Sequence, residues 1–166
     1  MSGMSGMSRT PAAPRSVGRW LRSTSNRTFV FWPLLLLALQ AVQDSGWPRL
    51  NPWALPLLAW GYAQYRWVGS LRAEQGGGGP GLSNPPLRLV STGPYAWTRN
   101  PMYLGHLIFF AGLALLLSGP AWLVFAAHAW WFDRRVREDE ASLLALFGEP
   151  YRDYLRRVKR WIPALY

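Results

Sequence analysis

The chain has 166 residues and a formal net charge of +10, and its residues are 50% hydrophobic and only 16% charged. Cysteine is absent, which excludes disulfides, thiolate catalysis and cysteine-ligated metals. Soluble domains are usually about 25% charged. Two classes of protein therefore remain: a basic nucleic-acid binder, or a small membrane protein with basic flanks.

The charges fall in blocks along the chain, and their distribution separates the two classes. Residues 28–43, 53–65 and 100–132 carry no charge, whereas most of the remaining sequence is basic. A nucleic-acid-binding domain would instead spread its basic residues over one folded face. Uncharged apolar stretches that alternate with basic ones favour a membrane protein, with membrane lipids as partners and no nucleic acid.

The first 27 residues contain five arginines and no acid, and they are rich in Ser, Pro and Gly. This composition predicts a disordered basic cytoplasmic tail that is attracted to anionic lipid. The remainder, 28–163, is predicted to form one membrane domain. A second loop, 73–87, contains a glycine run but lacks the Lys-Ser/Thr of a phosphate-binding P-loop, so no nucleotide role is expected for it.

The predicted fold is all-α and integral to the membrane, with about four transmembrane helices. These cover about 28–43, 50–69, 102–118 and 120–133, and Ser118-Gly119-Pro120 is the turn between the last two. Several are shorter than the roughly 20 residues that a full crossing takes. Small tilts, extension into the interface and partly re-entrant paths therefore all stay open.

The basic residues also predict how the chain is oriented. Four crossings place both termini on one side, which then holds 17 of the 18 Lys and Arg residues, with only Arg49 opposite. The positive-inside rule puts that side in the cytoplasm. Tryptophans near the predicted helix ends are typical of side chains at headgroup level: Trp20, Trp32, Trp47, Trp53, Trp67, Trp97 and Trp122.

A first candidate site lies where a loop enters the third predicted helix. Asn100 suits an N-cap and Pro101 the first helical position, so Arg99 would lie beside unpaired backbone N–H groups. Such an arrangement binds a carboxylate or a phosphate. Tyr103 and His106 follow on one face of the helix. The alternative is a capped membrane helix with a snorkelling arginine and an interfacial tyrosine.

A second candidate site lies in 134–160, which is predicted to be a cytoplasmic amphipathic helical segment, broken at Gly148-Glu149-Pro150. Of its three successive acids, Glu140 shares a side with the apolar residues that follow and is expected to point inward. An acid here can accept hydrogen bonds from a ribose hydroxyl or an ammonium group, or it can pair with a basic residue of another segment. The alternative is a solvated ladder of charges on a surface helix.

Both histidines, His106 and His128, fall within predicted membrane helices, where polar groups are often functional. Neither has a neighbouring carboxylate in the sequence, so no metal site is expected. His128 is interpreted as a hydrogen-bonding residue inside the bundle.

The two candidate sites together resemble the isoprenylcysteine carboxyl methyltransferase and phospholipid methyltransferase family, over about residues 50–163. The family often has His at position 100 and Glu at position 139, where this chain has Asn and Asp. The matching residues are Gly93-Pro94-Tyr95, Arg99-Asn100-Pro101-Met102-Tyr103-Leu104-Gly105, Asp139-Glu140, Leu143, Phe147-Gly148, Tyr151, Tyr154, Val158 and Ile162-Pro163.

The resemblance implies an enzyme that transfers a methyl group from S-adenosyl-L-methionine, at the membrane interface, to a hydrophobic or lipid-like acceptor such as an isoprenylcysteine-type carboxylate. The cofactor would be held between segments 93–106 and 134–158. The residues expected to bind it are Tyr95, Arg99, Asn100, Tyr103, Leu104, Gly105, His106, Asp139, Glu140 and Tyr154.

Two other functions stay open at this point. A small non-enzymatic membrane scaffold would explain the hydropathy and the charge, although it gives no reason for the contexts of Arg99 and Glu140. An NADPH-dependent membrane reductase has a similar C-terminal region, but its comparable motif tends to have Asn and Glu where this chain has Met102 and His106. No catalytic base is identified.

Overall fold

The structure, a computed structural model, describes residues 17–78, 85–117 and 119–162. These residues form helices joined by loops, with no β-strand among them, so the predicted all-α class is confirmed for the described chain. The helices are α1 (Val17–Arg22), α2 (Thr24–Asn26), a π-helical turn (Arg27–Phe31), α3 (Trp32–Gln43), α4 (Leu55–Gly76), α5 (Pro101–Leu117), α6 (Pro120–Phe147) and α7 (Glu149–Arg157).

Helix α5 is the centre of the fold, and most of its residues are buried. It packs most extensively against α4, and the two backbones approach closely where Gly61 faces Gly105. A Cβ atom at Gly61 would lie 2.5 Å from the backbone nitrogen of Phe109. Glycine is therefore required at this crossing, because any side chain would push the two helices apart.

The main apolar core forms where α3 and α6 pack on α5. Its fully buried members include Phe110 and Leu117 of α5 and Phe132 and Val136 of α6. Helix α6 continues past the predicted end at residue 133 for another 14 residues, up to Phe147. The same helix thus carries apolar residues into the core and acids and arginines beyond it.

The helix ends follow from local sequence. Gly148 has φ +61° and ends α6, and Pro150 lies in the first turn of α7, so the predicted break at 148–150 separates two helices. Gly119, with φ +51°, precedes α6. Ser118 of that predicted turn lies outside the described residues.

The N-terminal segment differs from its prediction. Residues 17–27, for which composition predicts disorder, form α1, α2 and the start of the π-helical turn, because Ser23 caps α2 and Phe29 packs among aromatic side chains. The disorder predicted for 1–16 lies outside the described residues. So do the glycines of the run beyond position 78 and Pro163 of the resemblance.

Within the described ranges, no helix combines the length and the apolar character that a membrane crossing needs. The four predicted crossings and the orientation of the chain remain predictions.

Candidate functional site

A cavity of about 290 Å³ opens between the loop that precedes α5, the polar half of α6, and α7. It has three arginines, one carboxylate, four tyrosines and an apolar wall, so its lining is chemically mixed. The lining residues are Arg72, Pro85, Pro86, Leu89, Val90, Tyr95, Arg99, Asn100, Pro101, Met102, Tyr103, Arg135, Asp139, Ser142, Leu143, Tyr151 and Tyr154. Both predicted segments thus contribute to one cavity.

Asp139 is the carboxylate of this cavity. The Tyr103 hydroxyl donates a 2.7 Å hydrogen bond to Oδ2 of Asp139, and Nε of Arg135 lies 3.2 Å from its Oδ1. Arg135 and Asp139 are four residues apart on α6, so both side chains lie on one face of the helix. Tyr103 and Arg135 together hold the carboxylate in place at the cavity wall.

Burial shifts the pKa of the Asp139 carboxyl group. Removal from water raises the pKa of Asp139, and the hydrogen bond from Tyr103 and the charges of Arg135 and Arg72 oppose this shift without cancelling it. A carboxylate that is less well solvated interacts more strongly with a cationic or hydrogen-bonding ligand. Asp139 is therefore the best-placed acceptor in the cavity.

Glu140 belongs to a different cluster, which it forms with Arg99, Asn100 and Arg160. Its Oε1 accepts a 2.9 Å bond from Nε of Arg99, and Arg160 donates to Oε2 at 3.1 and 2.8 Å and to Oε1 at 3.3 Å. Nδ2 of Asn100 adds a 3.3 Å bond. Glu140 is buried, as its helical position predicts, but it does not line the cavity. Its partners are protein side chains.

The pKa of Glu140 is shifted in the opposite direction from that of Asp139. Burial would raise the pKa of Glu140, but the hydrogen bonds from Arg160 and Arg99 and their positive charges outweigh burial and lower it. Glu140 is thus held as a carboxylate between two arginines. We interpret it as a residue that positions Arg99 and the C-terminal segment.

Arg99 lines the cavity, but fewer of its N–H groups are free to bind a ligand than the sequence predicts. Its Nε binds Glu140, and its Nη1 donates to the carbonyl oxygens of Val158 at 2.5 Å and Leu155 at 3.3 Å. The guanidinium is therefore fixed at the C-terminal end of α7. Among the described residues no bond occupies Nη2, which leaves this nitrogen for a ligand.

The segment after α7 completes this arrangement, and sequence reasoning missed its role. The backbone N–H of Arg99 donates to the carbonyl oxygen of Lys159 at 2.9 Å, and the Thr98 hydroxyl donates to that of Arg160 at 2.8 Å. Trp161 donates from its indole N–H to Asp133 at 3.0 Å. The loop before α5, α6 and the C-terminal segment are therefore tied together.

The tyrosines form the aromatic side of the cavity. Tyr154 is buried and donates a 2.7 Å hydrogen bond to the carbonyl oxygen of Tyr95, and Tyr151 packs beside it with ring centroids 5.8 Å apart. Burial raises the pKa of Tyr95 to about 12, with a smaller opposing effect of Arg72. The phenols thus stay protonated at neutral pH.

Besides Glu140, three of the predicted binding residues do not line this cavity. Leu104 does not line it, and Gly105 packs against the backbone of Tyr65 on α4. His106 is completely buried, and its ring lies 4.8 Å from that of Phe29 and 4.7 Å from that of Tyr65. The absence of a side chain at Gly105 serves helix packing, so the expectation that this residue contacts a ligand does not fit this geometry.

Several lining residues carried no readable signal in the sequence. Arg72 comes from the end of α4, and Leu89 and Val90 come from the loop after it; only the fold brings them here. Arg135 is different, since its spacing of four from Asp139 on one helix face is a signal that could have found the contact. Within the described ranges no group of three or more His, Asp or Glu side chains is placed to hold a metal ion.

Comparison with known proteins finds sequences similar to the region that forms most of this cavity. Residues 79–149 match the family described as phospholipid methyltransferase. The Mus musculus protein-S-isoprenylcysteine O-methyltransferase is 42% identical over 77 residues, which are 45% of this chain and 27% of the mouse protein. The proteins of the same name from Schizosaccharomyces pombe and Saccharomyces cerevisiae are 35% and 39% identical, over 46% and 45% of this chain.

The matched region covers 34% and 32% of these two yeast proteins, so the chain matches about a third or less of the length of its relatives. Most of the cavity lining lies inside the matched region. The resemblance drawn from the motifs is thus confirmed over residues 79–149, which are similar to the phospholipid methyltransferase family and to the protein-S-isoprenylcysteine O-methyltransferases.

Proposed function

We propose that the chain is a methyltransferase that uses S-adenosyl-L-methionine and acts at a membrane interface on a hydrophobic, lipid-like acceptor. One observation carries this proposal: the segments that match the family fold around one cavity that presents the Asp139 carboxylate and the Arg99 guanidinium. A cofactor with an ammonium group, a carboxylate and hydroxyl groups needs both kinds of partner.

The side chains of the cavity fit such a cofactor. Asp139 can accept hydrogen bonds from an ammonium or a ribose hydroxyl, while Arg99 and Arg72 favour a carboxylate. Tyr151, Leu89 and the other apolar side chains offer a wall for an adenine ring. The volume of about 290 Å³ lies near the lower end of the roughly 300–1,000 Å³ usual for small-molecule sites.

Methyl transfer requires little from the protein beyond holding the two reactants in the correct orientation. When bound, the cofactor supplies a methyl group on an already activated sulfonium. The residues described above orient their ligand and keep water away, and alignment of this kind is the main contribution available to the protein. An acceptor carboxylate is ionised at neutral pH, so its methylation requires no general base.

The relatives' names suggest the acceptor. They are protein-S-isoprenylcysteine O-methyltransferases, and we extend this to an isoprenylcysteine-type carboxylate for this chain. An acceptor with a long apolar group would approach from the bilayer, between helices.

The surface supports a membrane setting for the proposed activity. Trp47 and Trp53, near the ends of α3 and α4, are 95% and 89% exposed, and Leu123 on α6 is 74% exposed. Large apolar side chains in such positions are favourable when lipid surrounds them. We propose a multi-pass integral membrane protein with both termini in the cytoplasm, as the distribution of arginines indicates.

Calorimetry on the detergent-purified full chain tests the cofactor. S-adenosylhomocysteine should give a saturable isotherm, and NADPH, the cofactor of the membrane reductases, should give none. Absence of S-adenosylhomocysteine binding would overturn the proposal.

A methylation assay then tests the acceptor. Radiolabelled S-adenosyl-L-methionine is supplied with farnesylated N-acetylcysteine, and phosphatidylethanolamine vesicles serve as the comparison. Label in the prenylated cysteine, in a base-labile ester, supports the carboxylate acceptor. Label in the phospholipid alone would contradict it while leaving methyl transfer in place.

A further inference from the structure

A second cavity, of about 460 Å³, lies on another face of α4. The N-terminal segment from Ser23 to Val30 forms one side of it, and α4 from Tyr62 to Ser70 forms the other. It shares no lining residue with the first cavity, so a molecule bound there is apart from the site of the proposed methyl transfer. All of its lining residues also lie outside the region 79–149 that matches the family. Its occupant must therefore be inferred from its own lining.

The lining of the second cavity has a polar part and an aromatic part. Toward the C-terminal end of α4 it presents Arg66 and Ser70, and the N-terminal segment adds the hydroxyl group of Ser23. Toward the start of α4 it presents the rings of Phe29 and Tyr62, which pack edge to face with centroids 5.1 Å apart. A ligand with a polar head group and an apolar chain fits this division.

The charges around the second cavity favour an anionic head group. None of its lining residues is acidic. Arg66 is exposed and makes no ion pair within the described part of the chain. The two segments that contain its lining, 17–31 and 55–70, have four arginines and no acid between them. An anion beside Arg66 is therefore attracted by several charges and is not repelled by any carboxylate of these segments.

The N-terminal segment contacts α4 beside this cavity through a few side chains. The hydroxyl groups of Ser25 and Tyr65 lie 2.5 Å apart, and the ring of Phe29 lies 5.0 Å from that of Tyr65. The segment includes the π-helical turn Arg27–Phe31, in which the hydroxyl oxygen of Thr28 is buried without a hydrogen-bond partner in the described protein. Such turns and such atoms are uncommon and occur often at functional sites. A ligand that contacts both sides of the cavity would stabilise this docking.

We propose that the second cavity binds one anionic phospholipid, which is a structural lipid and not a substrate. Its phosphodiester group contacts Arg66 and the hydroxyl group of Ser23, and one acyl chain lies along Phe29 and Tyr62. A phospholipid is favoured over a free anion because the cavity continues from its charged part to aromatic rings, which an apolar chain covers. The proposed membrane setting supplies such lipids. The bound lipid holds the segment 23–30 against α4.

Native mass spectrometry of the full chain in a mild detergent tests the assignment. Dioleoylphosphatidylglycerol should form a saturable complex with one lipid per chain. Dioleoyltrimethylammonium-propane has the same acyl chains and the opposite charge, so it should bind at least about tenfold more weakly. Inorganic phosphate at millimolar concentration should not displace the bound lipid, because it has no acyl chain. Equal binding of the two lipids, or displacement by phosphate, would overturn the proposal.

Amide hydrogen exchange gives the position of the lipid. Dioleoylphosphatidylglycerol should slow exchange in residues 23–30, because the lipid joins this segment to α4 and so reduces its local opening. Exchange in the loop 44–51, which lines neither cavity, should not change. Protection of other segments without protection of 23–30 would contradict the assignment.

Variants at two exposed positions of the cavity add a matched control. Arg66→Gln should weaken the binding of dioleoylphosphatidylglycerol about tenfold, as expected for loss of a charge-assisted contact. Tyr62→Ala, which removes a 48% exposed ring from the aromatic part, should weaken it as well. Arg88→Gln makes the same change of charge in an exposed loop position that lines neither cavity, and it should bind the lipid like the parent chain. Unaltered binding in both cavity variants would refute the assignment.

Calorimetry with S-adenosylhomocysteine separates this proposal from the proposed function. Its affinity should be the same in Arg66→Gln and in the parent chain, because Arg66 lies outside the first cavity. If the parent chain binds the lipid but not S-adenosylhomocysteine, the proposed function fails and the lipid site stands. If the parent chain binds S-adenosylhomocysteine and does not prefer the anionic lipid, only the lipid assignment fails.

Discussion

Arg99 and Glu140, 41 residues apart in the sequence, form a buried ion pair in which Nε and Oε1 lie 2.9 Å apart and the two side chains are 11% and 9% exposed. Arg160 binds the same carboxylate from the other side at 2.8 Å. One acid is thus shared by the loop before α5 and by the segment after α7. The pair explains how two distant segments are held at one cavity.

Loss of this acid should destabilise the fold. Glu140→Ala leaves Arg99 and Arg160 buried without their counter-ion, and removal of one member of a buried pair costs about 3–5 kcal/mol. We expect the lower end, about 3 kcal/mol, which corresponds to about 6–12 °C in the thermal unfolding midpoint for a chain of this size. Thermal unfolding in detergent measures it.

Glu138→Ala is the matched control, since Glu138 is 70% exposed and forms only a 3.7 Å pair with Arg135. Its midpoint should change by about 2 °C or less. Equal shifts in the two variants would show that the Glu140 cluster does not stabilise the fold.

The same carboxylate predicts a pH dependence. The pKa of Glu140 in the folded chain is below its ordinary value of 4.5. Its contribution to stability is therefore fully present above that value and is lost as the pH falls through the lower folded pKa. The parent chain should lose stability below about pH 4.5 more steeply than Glu140→Gln does.

Measuring the unfolding midpoint of both chains between about pH 3 and 7 checks this. The difference between the two chains isolates Glu140, because the neighbouring acid Asp139 is present in both. Burial shifts the pKa of Asp139 in the opposite direction. Parallel curves for the two chains would be inconsistent with the lowered pKa.

Asp139 should govern ligand binding more than stability. Its carboxylate lines the first cavity, where Tyr103 and Arg135 orient it. Asp139→Asn keeps the size of the side chain and removes the charge, so S-adenosylhomocysteine should bind about tenfold more weakly, as for loss of a charged hydrogen-bond acceptor. Calorimetry gives the dissociation constant.

Asp153→Asn serves as the comparison for this measurement, since Asp153 is exposed on α7 and outside the cavity. It should bind S-adenosylhomocysteine like the parent chain. If Asp139→Asn also binds like the parent, the carboxylate has no role in holding the ligand.

The contact between α4 and α5 should tolerate no side chain at Gly61. In Gly61→Ala the new Cβ would lie 2.5 Å from the backbone nitrogen of Phe109, so the helices must separate. Overpacking of this kind costs about 1–3 kcal/mol, and the thermal unfolding midpoint should fall accordingly. Gly18→Ala, in α1 with no atom within 4 Å of the new Cβ, should lose no stability because alanine favours the helix. Similar stability of both variants would contradict the close approach.

Much of the secondary structure was readable from local signals. Pro101 after Asn100 marks the start of α5, and Gly148 before Pro150 separates α6 from α7. These signals act within a few residues, through backbone geometry and missing N–H groups, so no tertiary contact is needed to interpret them. The length of α6 was missed because its residues change from apolar to charged near position 133 without a helix-breaking residue.

The site was only partly readable. The motifs identified Tyr95, Arg99, Asp139 and Tyr154, which all line the first cavity. Spacing on one helix could place Arg135 beside Asp139, but not Arg160 beside Glu140, because that contact depends on the path of the chain after α7. The helix face of Glu140 predicted that its side chain points inward, but it did not identify Arg99 and Arg160 as its partners.

By itself, the sequence determined the segregation of charge, the helical character of the chain and the resemblance of residues 79–149 to a known family. These are properties of composition, local periodicity and motif spacing. The tertiary structure decided that Asp139 faces a cavity while its neighbour Glu140 is held by two arginines, and that Arg72 joins them from α4. Adjacent residues of a helix point about 100° apart, so only the packing of α4, α5 and α7 around α6 could give the two acids different roles.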